Sequence, residues 1–181
     1  MLKGEKVLLR PVRKSDLQSF VRWFNDPEVT QYLATRLPMT EMAEEKWIDG
    51  LPSRTNDVVF VIEAVEAGDS KPIGTTGLQG ISQTDQGATF GIAIGEKDYW
   101  SKGYGTEACR LLVRYGFEQL NLHRINSGVI SFNERSLRMH RKVGFKEEGR
   151  QREGIYKNGR FHDHVNFGLL RSEWQTMQGR S

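Results

Sequence analysis

The sequence has one cysteine, Cys109, and no long hydrophobic run among its 181 residues. A single cysteine excludes an intrachain disulfide and a cysteine-rich metal site. Charges interrupt residues 1–12, so the apolar core of a secretory signal is missing, and no later stretch is long and apolar enough to cross a membrane. Together these absences predict a cytoplasmic protein with no membrane partner.

A concentrated basic tract is also missing. The 26 Lys and Arg residues against 23 Asp and Glu residues give a net charge of +3, and the cations are spread along the chain. That distribution argues against a nucleic-acid partner but suits a polyanionic cofactor. With 37% hydrophobic residues and no repeat or linker, the chain is expected to form a single domain over residues 1–181.

Apolar runs separated by turn residues predict seven strands, with helices between several of them. Helices are expected after residue 15, from residue 40, from the region after residue 103 to about residue 120, and from residue 133 to residue 142. A short tail follows residue 171. This order predicts an α/β fold with a mixed sheet. The predicted strands are residues 6–12, 58–65, 72–81, 88–94, 123–130, 145–155 and 161–170.

Residues 100–108 (WSKGYGTEA) lie between the fourth predicted strand and an amphipathic helix. The first N–H groups of a helix have no partner within it, and the helix dipole adds positive potential there. Gly103 and Gly105 would let an anion approach the main chain closely, and Lys102 adds a charge. This junction therefore predicts a site for the phosphates of a ligand.

Several ligands fit such a loop. Residues 103–108 match G-x-G-x-x-A, the pattern of a dinucleotide site, but they follow a meander of strands and do not open the chain. The next predicted strand, residues 123–130, also lacks an acidic residue to bind a ribose. The P-loop pattern G-x-x-x-x-G-K-[ST] does not occur. A glycine turn without any ligand remains the alternative for an isolated G-x-G.

A second motif occurs about thirty residues further on. Residues 133–136 (NERS) open a predicted helix, and Gly144-Phe145 begins the sixth predicted strand. In this order the chain resembles the GNAT superfamily of acetyl-CoA-dependent N-acetyltransferases. The superfamily pattern is [QR]-x-x-G-x-[GA], then N-x-x-[SA], then a G-F pair. Trp100 stands where Gln or Arg is usual. Residues 6–17 and 24–33 resemble the RimJ/RimL branch.

The resemblance implies a mostly antiparallel sheet of six to seven strands flanked by helices, with acetyl-CoA in the cleft between the fourth and fifth strands. Main-chain groups of the fourth strand would bind the pantetheine arm, and one N–H would stabilise the oxyanion. The glycine loop would hold the pyrophosphate. Asn133 would contact the pantetheine or acetyl end, with helix capping as its alternative role. The implied cofactor contacts are Ile92, Ala93, Ile94, Trp100, Ser101, Lys102, Gly103, Tyr104, Gly105, Thr106, Asn133 and Ser136.

For catalysis, the resemblance implies that Ser136 protonates the departing thiolate. His140, one helical turn later, occupies a position where many relatives carry a Tyr acid, and an imidazolium is a competent acid near neutral pH. Glu96 and Glu63 are the candidates for the general base, although isolated acidic residues are usually solvated. His162 and His164 share a strand face, but no third ligand is evident, so no metal is expected.

The sequence therefore predicts an N-acetyltransferase that works by direct transfer in a ternary complex, as a monomer or homodimer. The acceptor would be a protein N-terminus of the ribosomal-protein type or a small amine. Its site is expected between residues 25–37 and the hairpin at residues 156–161. The alternative is a regulatory or interaction module that binds CoA without turnover.

Overall fold

The computed structural model describes residues 1–36, 38–66 and 69–179. Within these ranges eight strands form one mixed sheet in the order β1-β2-β3-β4-β5-β6-β8-β7. The expected six to seven strands are exceeded by a short first strand, in which Leu2 pairs with Leu9. The strands are β1 (Leu2–Lys3), β2 (Val7–Pro11), β3 (Val58–Glu66), β4 (Asp69–Ser82), β5 (Gly87–Ile94), β6 (Arg124–Ile130), β7 (Lys146–Lys157) and β8 (Arg160–Leu170).

Six α-helices accompany the sheet in the described residues: α1 (Leu17–Asn25), α2 (Pro27–Thr30), α3 (Glu41–Gly50), α4 (Tyr104–Glu118), α5 (Glu134–Val143) and α6 (Arg171–Gln178). The last of these was expected to be only a short tail. The Glu173 carboxylate accepts a hydrogen bond from the Leu170 N–H at 3.0 Å, and the Trp174 ring packs on Phe117 of α4, with centroids 5.4 Å apart. This packing partner is distant in sequence, so local periodicity did not reveal the helix.

The helices cover both faces of the sheet because the strand residues alternate between the faces. In β3, Val61 packs with Phe20, Trp23 and Ile48 of α1 and α3. Its neighbour Ile62 belongs to the larger core beneath α4. The predicted core position of Cys109 on α4 is confirmed, since its side chain is 0% exposed.

The sheet opens between β5 and β6, its one parallel pair in the described ranges. The two strands pair only from Gly87 with Arg124 to Thr89 with Asn126. Beyond this point the two strands are no longer paired with each other. The cleft expected between the fourth and fifth predicted strands is therefore present, and it faces the start of α4 and of α5. No helix in the described part of the chain combines the length and apolarity required to span a bilayer.

Candidate active site

The unpaired edge of β5 forms one wall of the cleft. The Phe90 carbonyl lies 3.2 Å from the Ser127 hydroxyl of β6, and the Ile94 carbonyl accepts a hydrogen bond from the Trp100 indole at 2.8 Å. Main-chain groups alternate in direction along a strand, so Ile92 also directs its N–H and C=O to this edge. Ile92 thus offers an open donor and acceptor at the centre of the cleft.

Ala93 was expected to contact the cofactor as well, but its main chain faces the other way. A Cβ added at Gly74 of β4 would lie only 2.2 Å from the Ala93 carbonyl oxygen, so this oxygen is directed into the β4–β5 ladder. The expectation that the Ala93 main chain binds the cofactor is therefore wrong, because successive residues of a strand direct their main-chain groups to opposite edges. Ile92 and Ile94 are the residues of this trio whose main chains face the cleft.

The glycine loop forms the second wall, next to the end of β5. Ser101 and Gly103 have positive φ angles of 60° and 93°, and Gly103 is the N-cap of α4. The helix begins at Tyr104, so Gly105 lies in its first turn and not in the loop. The N–H groups of this first turn have no acceptor within the helix. With Lys102 exposed beside them, they can bind an anion.

Gly105 lies directly against the open strand. A Cβ at this position would be 3.7 Å from Ile94 Cγ1 and 3.8 Å from Ile92 Cδ1, which is ordinary van der Waals contact. The protein itself therefore accommodates alanine at this site. Any longer side chain would extend into the corner between the loop and β5.

Tyr104 takes part in this site only through its main chain. Its ring is buried against Tyr99, and its hydroxyl donates a hydrogen bond to the Glu66 carboxylate. That hydrogen bond, with burial, raises the pKa of Tyr104 to about 12. The side chain is thus committed to the core, and only the N–H of Tyr104 can face a ligand.

Trp100 and Arg135 face each other across the mouth of the cleft. The Arg135 guanidinium lies 3.9 Å from the centroid of the Trp100 ring and 4.9 Å from that of Tyr32. These are cation–π distances. Arg135 thereby brings a positive charge to the motif position where Trp100 replaces the usual Gln or Arg. The motifs gave no signal for Arg135 or Tyr32, which meet Trp100 only in the folded chain.

Asn133 caps α5, which is the alternative role that the sequence predicts for this residue. Its side-chain oxygen accepts a hydrogen bond from the Ser136 N–H at 3.2 Å. Its side-chain NH2 has no hydrogen-bond partner in the described ranges. The cap therefore holds this amide at the end of the cleft with a free donor, and capping and cofactor contact are compatible.

His140 is a core residue and not an exposed acid. It is 2% exposed, and its ring packs among Phe90, Phe145 and Phe167. Burial lowers the pKa of His140, and its hydrogen bond to the Ser136 carbonyl offsets this only in part. A buried, neutral imidazole is a poor proton donor to a ligand. The geometry therefore argues against His140 as the acid.

The contacts of His140 define its tautomer. Nδ1 lies 2.8 Å from the Ser136 carbonyl oxygen, which can only accept, so Nδ1 carries the proton. Nε2 then accepts a hydrogen bond from the Ser127 hydroxyl at 2.8 Å. The Ser136 hydroxyl lies 3.3 Å from the same Nδ1 and is partly buried. Because the Nδ1 proton is donated to the Ser136 carbonyl, the Ser136 hydroxyl does not have to donate its own proton to His140.

Neither predicted base is available for proton abstraction. The Glu96 carboxylate accepts a hydrogen bond from the Trp23 indole at 2.8 Å and forms ion pairs with Arg22 and Lys71. Burial alone would raise the pKa of Glu96, but these partners outweigh it, and the pKa lies below its ordinary value. Such a carboxylate holds a proton weakly.

Glu63 belongs to a buried ion-pair network. Arg10 binds it through Nε and binds Asp16 bidentately, with N–O distances of 2.7 and 2.8 Å. All three side chains are buried, and breaking such a network by removing one charge is strongly destabilising. The network holds the start of α1 to β2 and β3. Glu63 is therefore a structural residue, and the structure argues against it as the base.

A cavity of about 310 Å³ lies between the end of α1, α2 and the tip of the β7–β8 hairpin. The Lys157 ammonium closes it by donating to the Thr35 carbonyl at 2.6 Å. This is the place where the acceptor was expected, although Leu37 lies outside the described residues. The lining residues are Phe24, Asn25, Pro27, Thr30, Gln31, Thr35, Arg36, Pro38, Lys157 and Asn158.

An aromatic layer joins this cavity to the cleft. The Tyr32 ring contacts Phe132, with centroids 5.8 Å apart, and Phe132 contacts His162 at 4.5 Å. Phe132 directly precedes Asn133, and His162 Nε2 lies 3.2 Å from the Lys157 carbonyl. No sequence motif indicated a role for Phe132, and His162 was considered only as a possible metal ligand.

Comparison with known proteins agrees with this geometry. A family model described as an acetyltransferase (GNAT) domain matches residues 6–146. The uncharacterized N-acetyltransferase p20 of Bacillus licheniformis is 30% identical over 96% of this chain and 97% of its own. The putative ribosomal N-acetyltransferase YdaF of Bacillus subtilis is 38% identical over 117 residues, which is 63% of each chain.

Among solved structures, spermidine N-acetyltransferase from Vibrio cholerae, in complex with CoA and spermine, has a TM-score of 0.87. The match covers 95% of this chain and 99% of that one at 24% identity, which supports the fold and not the substrate. The family match and the full-length relative show which family the protein belongs to. The open β5 edge and the glycine loop agree with this assignment. The chain belongs to the GNAT acetyltransferase family and is an enzyme that uses acetyl-CoA.

Proposed function

We propose that the protein is a cytoplasmic enzyme of the RimJ/RimL-like branch that acetylates a primary amine by direct transfer in a ternary complex. The observation that carries this proposal is the partly buried Ser136 hydroxyl in the first turn of α5, a helix that begins directly after Phe132 and Asn133. Phe132 contacts Tyr32, which follows Gln31 of the cavity wall. Two separate binding spaces around one proton donor suit a reaction of two substrates. The name of YdaF supports a ribosomal protein N-terminus as the acceptor. A small amine is supported by spermidine N(1)-acetyltransferase of Escherichia coli, which is 27% identical over 96% of this chain and 91% of its own.

The residues of the cleft fit acetyl-CoA, which supplies an activated acetyl group as a thioester and leaves as a thiolate. The N–H groups of residues 101–106 would hold its pyrophosphate, assisted by Lys102. The main chains of Ile92 and Ile94 would bind its extended arm as an added strand edge does. The free amide NH2 of Asn133 would donate to a carbonyl of the same arm.

Ser136 is the proposed proton donor to the leaving thiolate. The hydroxyl is held by its helix and lies 3.3 Å from His140 Nδ1, which donates its proton to the Ser136 carbonyl. His140 acts in this scheme as a positioning residue, because its ring fixes Ser136 without contacting the ligand. Ser127 in turn fixes the His140 tautomer through Nε2.

His162 is the proposed proton acceptor for the incoming ammonium, in place of Glu96 and Glu63. Its Nε2 donates to the Lys157 carbonyl, so Nδ1 is a bare acceptor, and it has no hydrogen-bond partner in the part of the chain that the structure describes. The ring lies between the cavity and Phe132, which precedes the start of α5. The ring is thus linked to the cavity wall through Lys157 and to the start of α5 through Phe132.

The test measures release of the CoA thiol from acetyl-CoA with a panel of small amines and N-terminal peptides. Release should depend on an amine, and Ser136→Ala should lower kcat by roughly 100-fold with little change in KM for either substrate. Ser136→Thr, which keeps a hydroxyl, is the matched control and should retain more activity. Tight CoA binding without release across the whole panel would instead support a non-catalytic CoA-binding module.

A further inference from the structure

Two unneutralised cations line the cavity between α2 and the β7–β8 hairpin. Arg36 and Lys157 belong to its wall, and no described lining residue is acidic. Among the described residues, the one hydrogen-bond partner of the Lys157 ammonium is the Thr35 carbonyl, a neutral acceptor. Arg36 is exposed and forms no ion pair within the described ranges. The cavity therefore presents positive charge to whatever enters it.

Two acidic side chains that neighbour the cavity wall in sequence are already bound to another cation. Asp26 and Glu28, which flank Pro27 of the cavity wall, bind Lys97 at 2.9 and 3.2 Å. They are thus unavailable to neutralise the cavity. The pKa of Lys157 is lowered, first by burial and second by repulsion from Arg36, so an added cation in this space is unfavourable.

The cavity is close to the reacting centre. Gln31 of its wall is followed by Tyr32, whose ring packs on Phe132 at the start of α5. A molecule that reaches Ser136 with its amine can therefore place its other end in the cavity. Tyr32 and Phe132 therefore lie between the two ends of such a molecule.

From this arrangement we infer that the acceptor amine carries an anionic group, a carboxylate or a phosphate, which Arg36 and Lys157 bind in the cavity. The inference rests on the proposed function and assigns its substrate class. A guanidinium and an ammonium that converge on one space suit a planar or tetrahedral oxyanion. A polyamine would place a second cation beside these two and is disfavoured, despite the structural similarity to a spermine-bound enzyme.

The first experiment compares matched acceptors in the same thiol-release assay. An aminoalkyl phosphate and an ω-amino acid are compared with the corresponding amino alcohol and diamine, and spermidine is included. Peptides that differ only in Asp, Asn or Lys at the second position form a separate arm. The anionic member of at least one arm should have a KM about tenfold or more below its neutral partner. The arm in which this occurs distinguishes a small acceptor from an acidic protein N-terminus.

The second experiment reverses the charges. Arg36→Glu and Lys157→Glu should each raise KM for the preferred anionic amine by about tenfold or more, and should improve turnover of spermidine. KM for acetyl-CoA should stay unchanged. Arg152→Glu, an exposed cation of the same hairpin outside the cavity wall, is the control and should behave like the parent protein.

A KM for spermidine below that of every anionic amine would overturn the inference while leaving the acetyltransferase function intact. The same holds if the two cavity variants match Arg152→Glu, with thermal unfolding showing that all three are folded. Absence of thiol release with every amine, despite CoA binding, would instead refute the proposed function.

Discussion

The two binding walls of this enzyme are built in different ways. The cofactor wall consists mainly of main-chain groups from two short, nearly consecutive segments, the end of β5 and the start of α4. The proposed acceptor wall is the lining of the cavity, with side chains from α1, from α2 and from the tip of a hairpin more than a hundred residues later, where Lys157 donates to the Thr35 carbonyl. Main-chain groups are present in every sequence that adopts the fold, whereas side chains are free to vary. The cofactor wall therefore suits a whole family, whereas we propose that the acceptor wall selects one substrate class.

The largest expected effect tests whether the cofactor wall is independent of the acceptor wall. Gly105→Leu should raise KM for acetyl-CoA by roughly 100-fold, because its side chain extends past Ile92 and Ile94 into the ligand space. KM for the amine should change little. Gly105→Ala is the matched control and should stay close to the parent, since its methyl group makes only ordinary contacts.

Steady-state kinetics with each substrate varied in turn, and CoA binding by calorimetry, measure both effects. If Gly105→Leu altered KM for the amine as strongly as that for acetyl-CoA, the two walls would not be separable.

The His140→Gln variant tests how a buried residue in contact with Ser136 contributes to activity and to stability. His140→Gln should lower kcat by roughly tenfold through loss of the Ser136 position, and should destabilise the fold by about 1–3 kcal/mol by disturbing the hydrogen bonds of the buried Ser127. Both KM values should change less than kcat. Chemical denaturation and kinetics give the two numbers.

The pH dependence of the free energy of unfolding tests the protonation state of His140. Its pKa is lower in the folded than in the unfolded protein, so the unfolded state gains protons first as the pH falls through the ordinary His range near 6.5. Stability should therefore fall from pH 7.5 to pH 5.5, and this fall should be smaller in His140→Gln. An equal pH dependence in both proteins would contradict the buried, neutral state of the ring.

The Arg135→Ala variant tests whether Arg135 contributes to binding of the cofactor. Arg135→Ala removes the charge stacked on Trp100 and should raise KM for acetyl-CoA about threefold to tenfold, in line with a cation–π contact and a nearby anion. KM for the amine should stay nearly constant. Arg138→Ala, an exposed cation on the same helix, is the control. A stronger effect on the amine would place Arg135 on the acceptor wall.

The smallest effect concerns backbone strain in the glycine loop. Gly103→Ala meets no atom within 4 Å, but the φ angle of 93° is unfavourable for a residue with a Cβ. The free energy of unfolding should fall by about 1 kcal/mol. Gly50→Ala also meets no atom within 4 Å, lies at the end of α3 without a positive φ, and should not be destabilising. Equal stabilities of the two variants in urea would exclude strain at Gly103.

The local elements could be predicted because their signals are local. Thr40 caps α3 through its hydroxyl, Asn133 caps α5, and Gly144 ends α5 with a φ angle of 110°. The helix α6 was missed because Trp174 depends on Phe117 for its packing. The direction of Ala93 was missed as well, because a motif names residues without stating which edge of a strand they face.

The α/β class and the place of the glycine loop could be predicted from the sequence, because each follows from contiguous residues and from hydrogen bonds of the main chain. The cofactor followed from the resemblance to the GNAT superfamily. Only the tertiary structure decided which side chains remain available for chemistry. It buried His140 among three aromatic rings, engaged Glu96 and Glu63 in ion pairs, and left Arg36 and Lys157 without carboxylate partners in the described ranges. Burial and charge pairing depend on residues far apart in the chain, and they set the proton affinity of each side chain. The proposed charge of the substrate rests on the same two properties.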